Sequence, residues 1–170
     1  MSGWDEYLEG DEVVLWQGQP VRSVPLTPAR IPFMIFGILF SGFALFWMVM
    51  AARDGALWQF GLIHFMAGIL VGFGPHIVTP FMRRNTWYSL TTRRAFFAQN
   101  HPLRGRTLNA VTITPQTGVD FDGDSPGTIR FRGAATAITG ARALSRPAFD
   151  RIVDAGDVFR MIRDIQRGVA

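Results

Sequence analysis

Between Arg30 and Arg53 the chain carries no aspartate, glutamate, lysine or arginine, and the same holds between Asp54 and Arg83. No other feature limits the fold as strongly, because two long charge-free stretches need either a large protein around them or a bilayer. Ile31 to Ala52 is 22 residues. At about 1.5 Å per residue this makes roughly 33 Å of helix, enough for a hydrocarbon core of about 30 Å. The second stretch, from about Leu57 to Met82, is long enough to cross with some tilt. A chain of 170 residues has little protein left to cover two such helices. The expected architecture is therefore a membrane protein with a transmembrane helical hairpin over residues 31–82. Its spans are 31–52 and 57–82, joined by a loop at 53–56. An N-terminal arm, 1–30, precedes the hairpin, and a domain at 83–170 follows it. A cleaved signal peptide does not fit: the apolar run is too long for an h-region, and an acidic segment precedes it.

All 17 basic residues are arginine, and their placement sets an orientation. Arg22 and Arg30 flank the first span, Arg83, Arg84, Arg93 and Arg94 follow the second, and the connection holds Arg53 alone. The positive-inside rule puts both termini in the cytoplasm and the tight loop outside. Five acids among the first twelve residues do not oppose this, since acids count little in that rule.

Helices in lipid associate through close backbone approach. Gly61, Gly68 and Gly72 recur at helical spacing in the second span, with Gly68-Ile-Leu-Val-Gly72 a GxxxG match, and the first span offers Gly37, Ser41 and Ala44. These seams face each other within the hairpin, the preferred reading, or one of them pairs with another chain. His64 is an ionisable group inside a span and so a functional candidate. A haem or metal role needs a partner, and His76 lies about 18 Å away along the same helix axis. The plainer role is a neutral imidazole bonded to a helix carbonyl or to Ser41, or one facing a partner subunit. Pro75 and Pro80 bracket His76 near the cytoplasmic interface, where a kinked or broken helix end would hydrate it.

Pro20, Pro25, Pro28 and Pro32 argue against helix before the first span. Glu12 to Trp16 reads as a short strand or an interfacial segment. Trp4, Tyr7 and Trp16 either lie at headgroup level or pack on the following domain. Beyond Arg83 the period changes to that of strands. Thr86–Thr91, Arg94–Ala98, Arg106–Thr114, Gly118–Asp122, Thr128–Arg132 and Pro147–Val153 all read as strands, and 133–142 as a loose strand or loop. A helix follows, with Asp154 as N-cap, Val158, Met161, Ile162 and Ile165 on its apolar face and Gly168 at its stop. Several strands closed by one C-terminal helix make an α+β domain.

Three segments in this order resemble the bacterial pleckstrin-homology-like membrane proteins. They are Leu8-Glu-Gly-Asp-Glu-Val-Val-Leu-Trp-Gln-Gly-Gln-Pro20 before the paired spans, Tyr88-Ser-Leu-Thr-Thr-Arg-Arg-Ala95 just after them, and Phe149-Asp-Arg-Ile-Val-Asp154 leading into the last helix. Together they are spread over nearly the whole chain, from Leu8 to Asp154. The resemblance implies a pleckstrin-homology-like split β-barrel with a C-terminal capping helix, on the cytoplasmic side of a bacterial inner membrane. It implies binding and no reaction. Eukaryotic relatives that hold phosphoinositides use a long basic loop between their first two strands. Here the junction is only Thr91-Thr92-Arg93, which speaks against a specific inositol-phosphate pocket.

No catalytic constellation is present. The chain has no cysteine, P-loop, GxGxxG or HExxH, and Gly123-Asp-Ser-Pro-Gly127 reads as a strong turn between two strands. Asp120, Asp122 and Asp124 lack the terminal glutamate of an EF-hand and read as turn residues. No cofactor or metal is expected. Arg83, Arg84, Arg93, Arg94, Arg104 and Arg106 form a basic cluster beside the membrane. Each such charge near anionic headgroups is worth about 1 kcal/mol, so generic contact with anionic membrane lipids is a candidate role; nucleic acid is not expected as a partner at a net charge of +4. The leading expectation is a non-enzymatic membrane-anchored adaptor that binds a protein partner, itself included, or the anionic lipid surface. The alternative is an accessory subunit of a larger respiratory, photosynthetic or transport complex, bound through its spans.

Overall fold

The computed structural model describes residues 7–102, 105–132, 136–139 and 147–169. Trp4 and Arg104 lie outside them. Two compact units emerge: Arg22–Phe81, and a discontinuous one made of Met1–Val21 with Met82–Ala170.

The first unit is a helical hairpin. A single 3-10 turn at Pro28–Arg30 leads into α1, Ile31–Arg53, whose opening turn contains Pro32, where a missing N–H costs nothing. Gly55 ends the helix in the left-handed region (φ 71°), and the Ala56 N–H reaches back to the Ala51 carbonyl at 2.9 Å. That αL glycine with a six-to-one bond is a Schellman stop. α2 spans Phe60–Arg84. The link is therefore residues 54–59, longer than the expected 53–56, because Leu57 is not helical and Trp58 and Gln59 form the turn that leads into α2. Pro75 and Pro80 sit inside α2, which continues past both, so of the expected kinked or broken end the break does not occur. Both helices are long and apolar enough to cross a membrane.

The second unit holds eight strands and one helix among the described residues. β1 (Val14–Gly18), β2 (Thr86–Thr91), β3 (Arg94–His101), β4 (Gly105–Thr112) and β7 (Thr136–Thr139) form one antiparallel sheet in the order β1-β2-β3-β4-β7. β5 (Gly118–Phe121), β6 (Gly127–Arg132) and β8 (Ala148–Ile152) form a second, ordered β5-β6-β8. Neither sheet closes, so the strands form two antiparallel sheets where a split barrel was expected. The separation begins after β4, where Thr117 Oγ1 ties the Thr112 carbonyl and the Thr114 N–H into a turn that hands the chain to the second sheet.

Alternation along the strands builds the core. Tyr88 and Leu90 of β2, Ala95 and Phe97 of β3, Val111 of β4, Ile129 and Phe131 of β6 and Phe149 of β8 share one cluster with Val158 and Ile162 of α3 (Ala155–Arg167). Phe149 is its hub. Its ring centroid lies 5.0 Å from Tyr88, 5.1 Å from Phe97 and from Phe131, and 5.6 Å from Trp16. Trp16 thus packs against the domain. On the opposite face of the five-stranded sheet, Phe96, Leu108 and Ala110 are covered by Tyr7 and Leu8. β1 is a sheet strand, and the N-terminal segment belongs with the residues after the hairpin.

Candidate functional site

Of the six cluster arginines, the structure pairs three with acids. The Arg83 guanidinium donates to Asp150 Oδ2 at 2.7 and 3.1 Å and to the Val21 carbonyl at 3.2 Å. Arg93 pairs with Asp11 at 2.8 Å. Arg94 grips Glu12 through two nitrogens, Glu9 at 2.9 Å and the Tyr7 carbonyl at 3.0 Å, and lies over the Phe96 ring. Among the described residues Arg84 and Arg106 are exposed and have no carboxylate partner.

The Glu12 side chain is fully covered. Burial pushes its pKa upward, but hydrogen bonds from Arg94, from the Thr91 hydroxyl and from the Glu9 N–H outweigh that and hold the carboxyl below its ordinary range. The same bond to Glu12 raises the Arg94 pKa. The cluster is in good part a clasp: it fastens the segment before the hairpin onto strands that follow it. Sequence spacing could not reveal this, because Glu12 and Arg94 are separated by the entire hairpin.

A cleft of about 400 Å³ opens where β1 meets β2. Gln17, Gly18 and Gln19 form one wall, and Trp87, Ser89 and Ala98 line the rest. Period-two alternation puts Trp87 and Ser89 on the face opposite the core residues Tyr88 and Leu90. Trp87 is 40% exposed, whereas Ser89 is 1% exposed and its hydroxyl has no hydrogen-bond partner. An aromatic wall, two side-chain amides and an unanswered buried hydroxyl can bind a polar, extended ligand; they supply no nucleophile–base pair. Sequence reasoning missed this site. Trp87 and Ser89 stood at alternate positions of an expected strand, but β1, which supplies the other wall, comes from before the hairpin.

In the hairpin the small residues approach closely. A methyl group built on Gly37 would lie 2.6 Å from the Gly68 carbonyl oxygen and 2.6 Å from Gly72 Cα. One on Gly68 would lie 2.3 Å from Ser41 Oγ, and one on Gly61 would lie 2.1 Å from Met48 Cγ. Ala44 is buried, and Ser41 Oγ donates to the Phe65 carbonyl at 3.2 Å. His64 is exposed, with Nδ1 3.2 Å from the Phe60 carbonyl oxygen, and it lines a shallow aromatic pocket with Phe40, Phe43, Trp47 and Phe60.

Asp120 pairs with Arg132 at 2.6 Å. Asp122 accepts the Thr128 N–H at 2.9 Å and the Asp124 N–H at 3.3 Å, the work of a turn residue. Among the described residues no three His, Cys, Asp or Glu side chains gather as a metal site. Compared with known proteins, the chain matches no family model, no curated protein and no solved structure.

Proposed function

We propose that the chain is a membrane-anchored binding module without chemistry of its own. The hairpin spans the bilayer of a bacterial inner membrane. The two-sheet unit, pleckstrin-homology-like in kind, lies at the cytoplasmic face and takes an extended segment of a protein partner in the cleft between β1 and Trp87. The Ser89 hydroxyl carries this reading: a buried polar group without a partner is costly, and Ser89 is part of the lining of a cleft with an aromatic wall.

Strand pairing supports the topology. β1 precedes the hairpin and β2 follows it, yet Trp16 pairs with Leu90 and Gly18 with Tyr88 in one sheet. This pairing supports the reading that both ends of the hairpin lie on one side of the membrane, with an even number of crossings. The arginine bias makes that side the cytoplasm. Pairing of Arg83, Arg93 and Arg94 with acids lowers the charge available to anionic headgroups, which favours a protein partner over the lipid surface as the main ligand.

One observation favours the second reading, an accessory subunit held through its spans. His64 lies exposed in an aromatic pocket of about 270 Å³ on the outer side of the hairpin, a place for a partner helix. A photo-crosslinking residue at position 87 and, separately, at 64, in native membranes, tests both. A discrete adduct from position 87 that is lost in Ser89→Leu supports the adaptor. An adduct from position 64 alone defeats it in favour of the subunit.

A further inference from the structure

At the end of the hairpin where α1 begins, a cavity of about 260 Å³ is lined by Arg30, Phe33, Val71, Gly72, Pro75 and His76. Two nitrogens of these residues, Arg30 Nη1 and His76 Nε2, are buried and have no hydrogen-bond partner. Buried polar atoms are nearly always satisfied, so two unanswered ones on residues that line the same cavity point to a ligand. Its charge follows from composition. Between Arg22 and Phe81 the sole carboxylate is Asp54, which caps the far end of α1, a 23-residue helix. At about 1.5 Å per residue that is roughly 35 Å away. No acid within this unit can answer Arg30. The N-terminus of α1 adds the positive end of its dipole, and no side chain caps it. Pro75 also brings no N–H to the carbonyl of Val71, which leaves an acceptor on the same stretch of α2.

We infer that this cavity is a phosphate site, occupied by the phosphodiester of a membrane lipid, with Arg30 and His76 donating to its oxygens. Arginine suits this role through its planar fork of donors. Phe33 and Val71 supply apolar walls beside the charged groups, as a glycerol backbone and the start of an acyl chain require. A free phosphate shares the oxygen chemistry but has no use for those walls. The lipid source rests on the spanning hairpin proposed above.

The test uses the full chain, purified in a neutral detergent and stripped of lipid by detergent exchange. Its thermal midpoint is followed by tryptophan fluorescence on adding short-chain phosphatidylglycerol, the matching diacylglycerol, or inorganic phosphate, and phosphorus per chain is measured before stripping. Phosphatidylglycerol should raise the midpoint while diacylglycerol does not, and about one lipid phosphorus should co-purify. A rise with inorganic phosphate as large as that with the lipid would keep the phosphate site and overturn the lipid as its source. Arg30→Gln and His76→Leu should each weaken the response about tenfold, the worth of a charge-assisted hydrogen bond. Should Arg30→Gln fail to fold, His76→Leu carries the comparison alone. Equal effects of phosphatidylglycerol and diacylglycerol, or undiminished phosphorus in His76→Leu, would overturn the site. Carbonate extraction of the same membranes separates the two layers of argument. Release of the wild-type chain defeats the spanning reading and the lipid with it, whereas a retained chain without bound phosphorus defeats the site alone.

Discussion

Glu12 shows how much one side chain can hold. It is an acid in a segment of acids, yet its carboxylate is fully covered and answers Arg94, Thr91 and the Glu9 N–H. Removing one member of a buried pair strands the other. Glu12→Ala is expected to cost about 3 kcal/mol in urea unfolding, towards the lower end for such pairs because Arg94 keeps Glu9 and the Tyr7 carbonyl. The folded carboxyl titrates below its ordinary 4.5. Its contribution is therefore complete above that pH and is lost as pH falls through the lower folded value. Wild-type stability should decline below about pH 4.5, and Glu12→Gln should flatten that decline. Two glycines make a second residue-scale contrast. A methyl group on Gly127 would meet the Asp124 carbonyl oxygen at 2.3 Å and Ala155 Cβ at 2.9 Å, whereas one on Gly156, in α3, meets nothing within 4 Å. Gly127→Ala should lose about 1–3 kcal/mol, and Gly156→Ala should gain up to about 1 kcal/mol. Thermal unfolding of both variants checks the pair.

At the scale of elements, the residues that set each boundary explain what the sequence revealed. β2 falls where expected, at Thr86–Thr91, because aromatic and β-branched side chains meet an abrupt end to the apolar run. α3 stops at Gly168, whose φ of 71° only glycine adopts freely. Its start is different. Asp154 makes no side-chain cap; its carboxylate lies 3.5 Å from Trp16 Nε1, a partner 138 residues away that local capping rules cannot see. The same limit hid the cleft and the acid partners of Arg93 and Arg94, since each joins residues from both sides of the hairpin; Asp150, which answers Arg83, lies 67 residues further along the chain. The small-residue seam was legible because the helical period alone places Gly68 and Gly72 on one face. Leucine at Gly68 would drive a side chain into Ser41. Gly68→Leu should therefore reduce membrane yield while the β unit keeps its near-ultraviolet circular dichroism. Ile162, which is 0% exposed, behaves oppositely: Ile162→Asp should abolish that signal, at several kcal/mol for a buried unpaired charge.

At the scale of the whole molecule, the β unit is one body made from two pieces of chain. Residues 83–170 alone lack β1, the Trp16 contact with Phe149 and the acid that answers Arg94. They should unfold at markedly lower urea than a chain in which 1–21 is joined to 82–170 by a short glycine-asparagine linker in place of the hairpin. The pairing of Gly18 with Tyr88 brings the ends to be joined close together. Equal midpoints for the two chains would mean that β1 is ornamental.

The divided sheet also orders events during translation. β1 leaves the ribosome first and has nothing to pair with while the hairpin is made, which at about 5–20 residues per second takes several seconds. Its register partner arrives only after both helices have emerged. With the hairpin spanning the membrane as proposed, a chain in which one helix fails to insert leaves β1 and β2 in different compartments and the edge of the sheet open. Completion of the sheet is then a proofreading step on insertion: chains with the wrong number of crossings expose a raw strand edge and an unanswered arginine, the features by which quality-control proteases would find them.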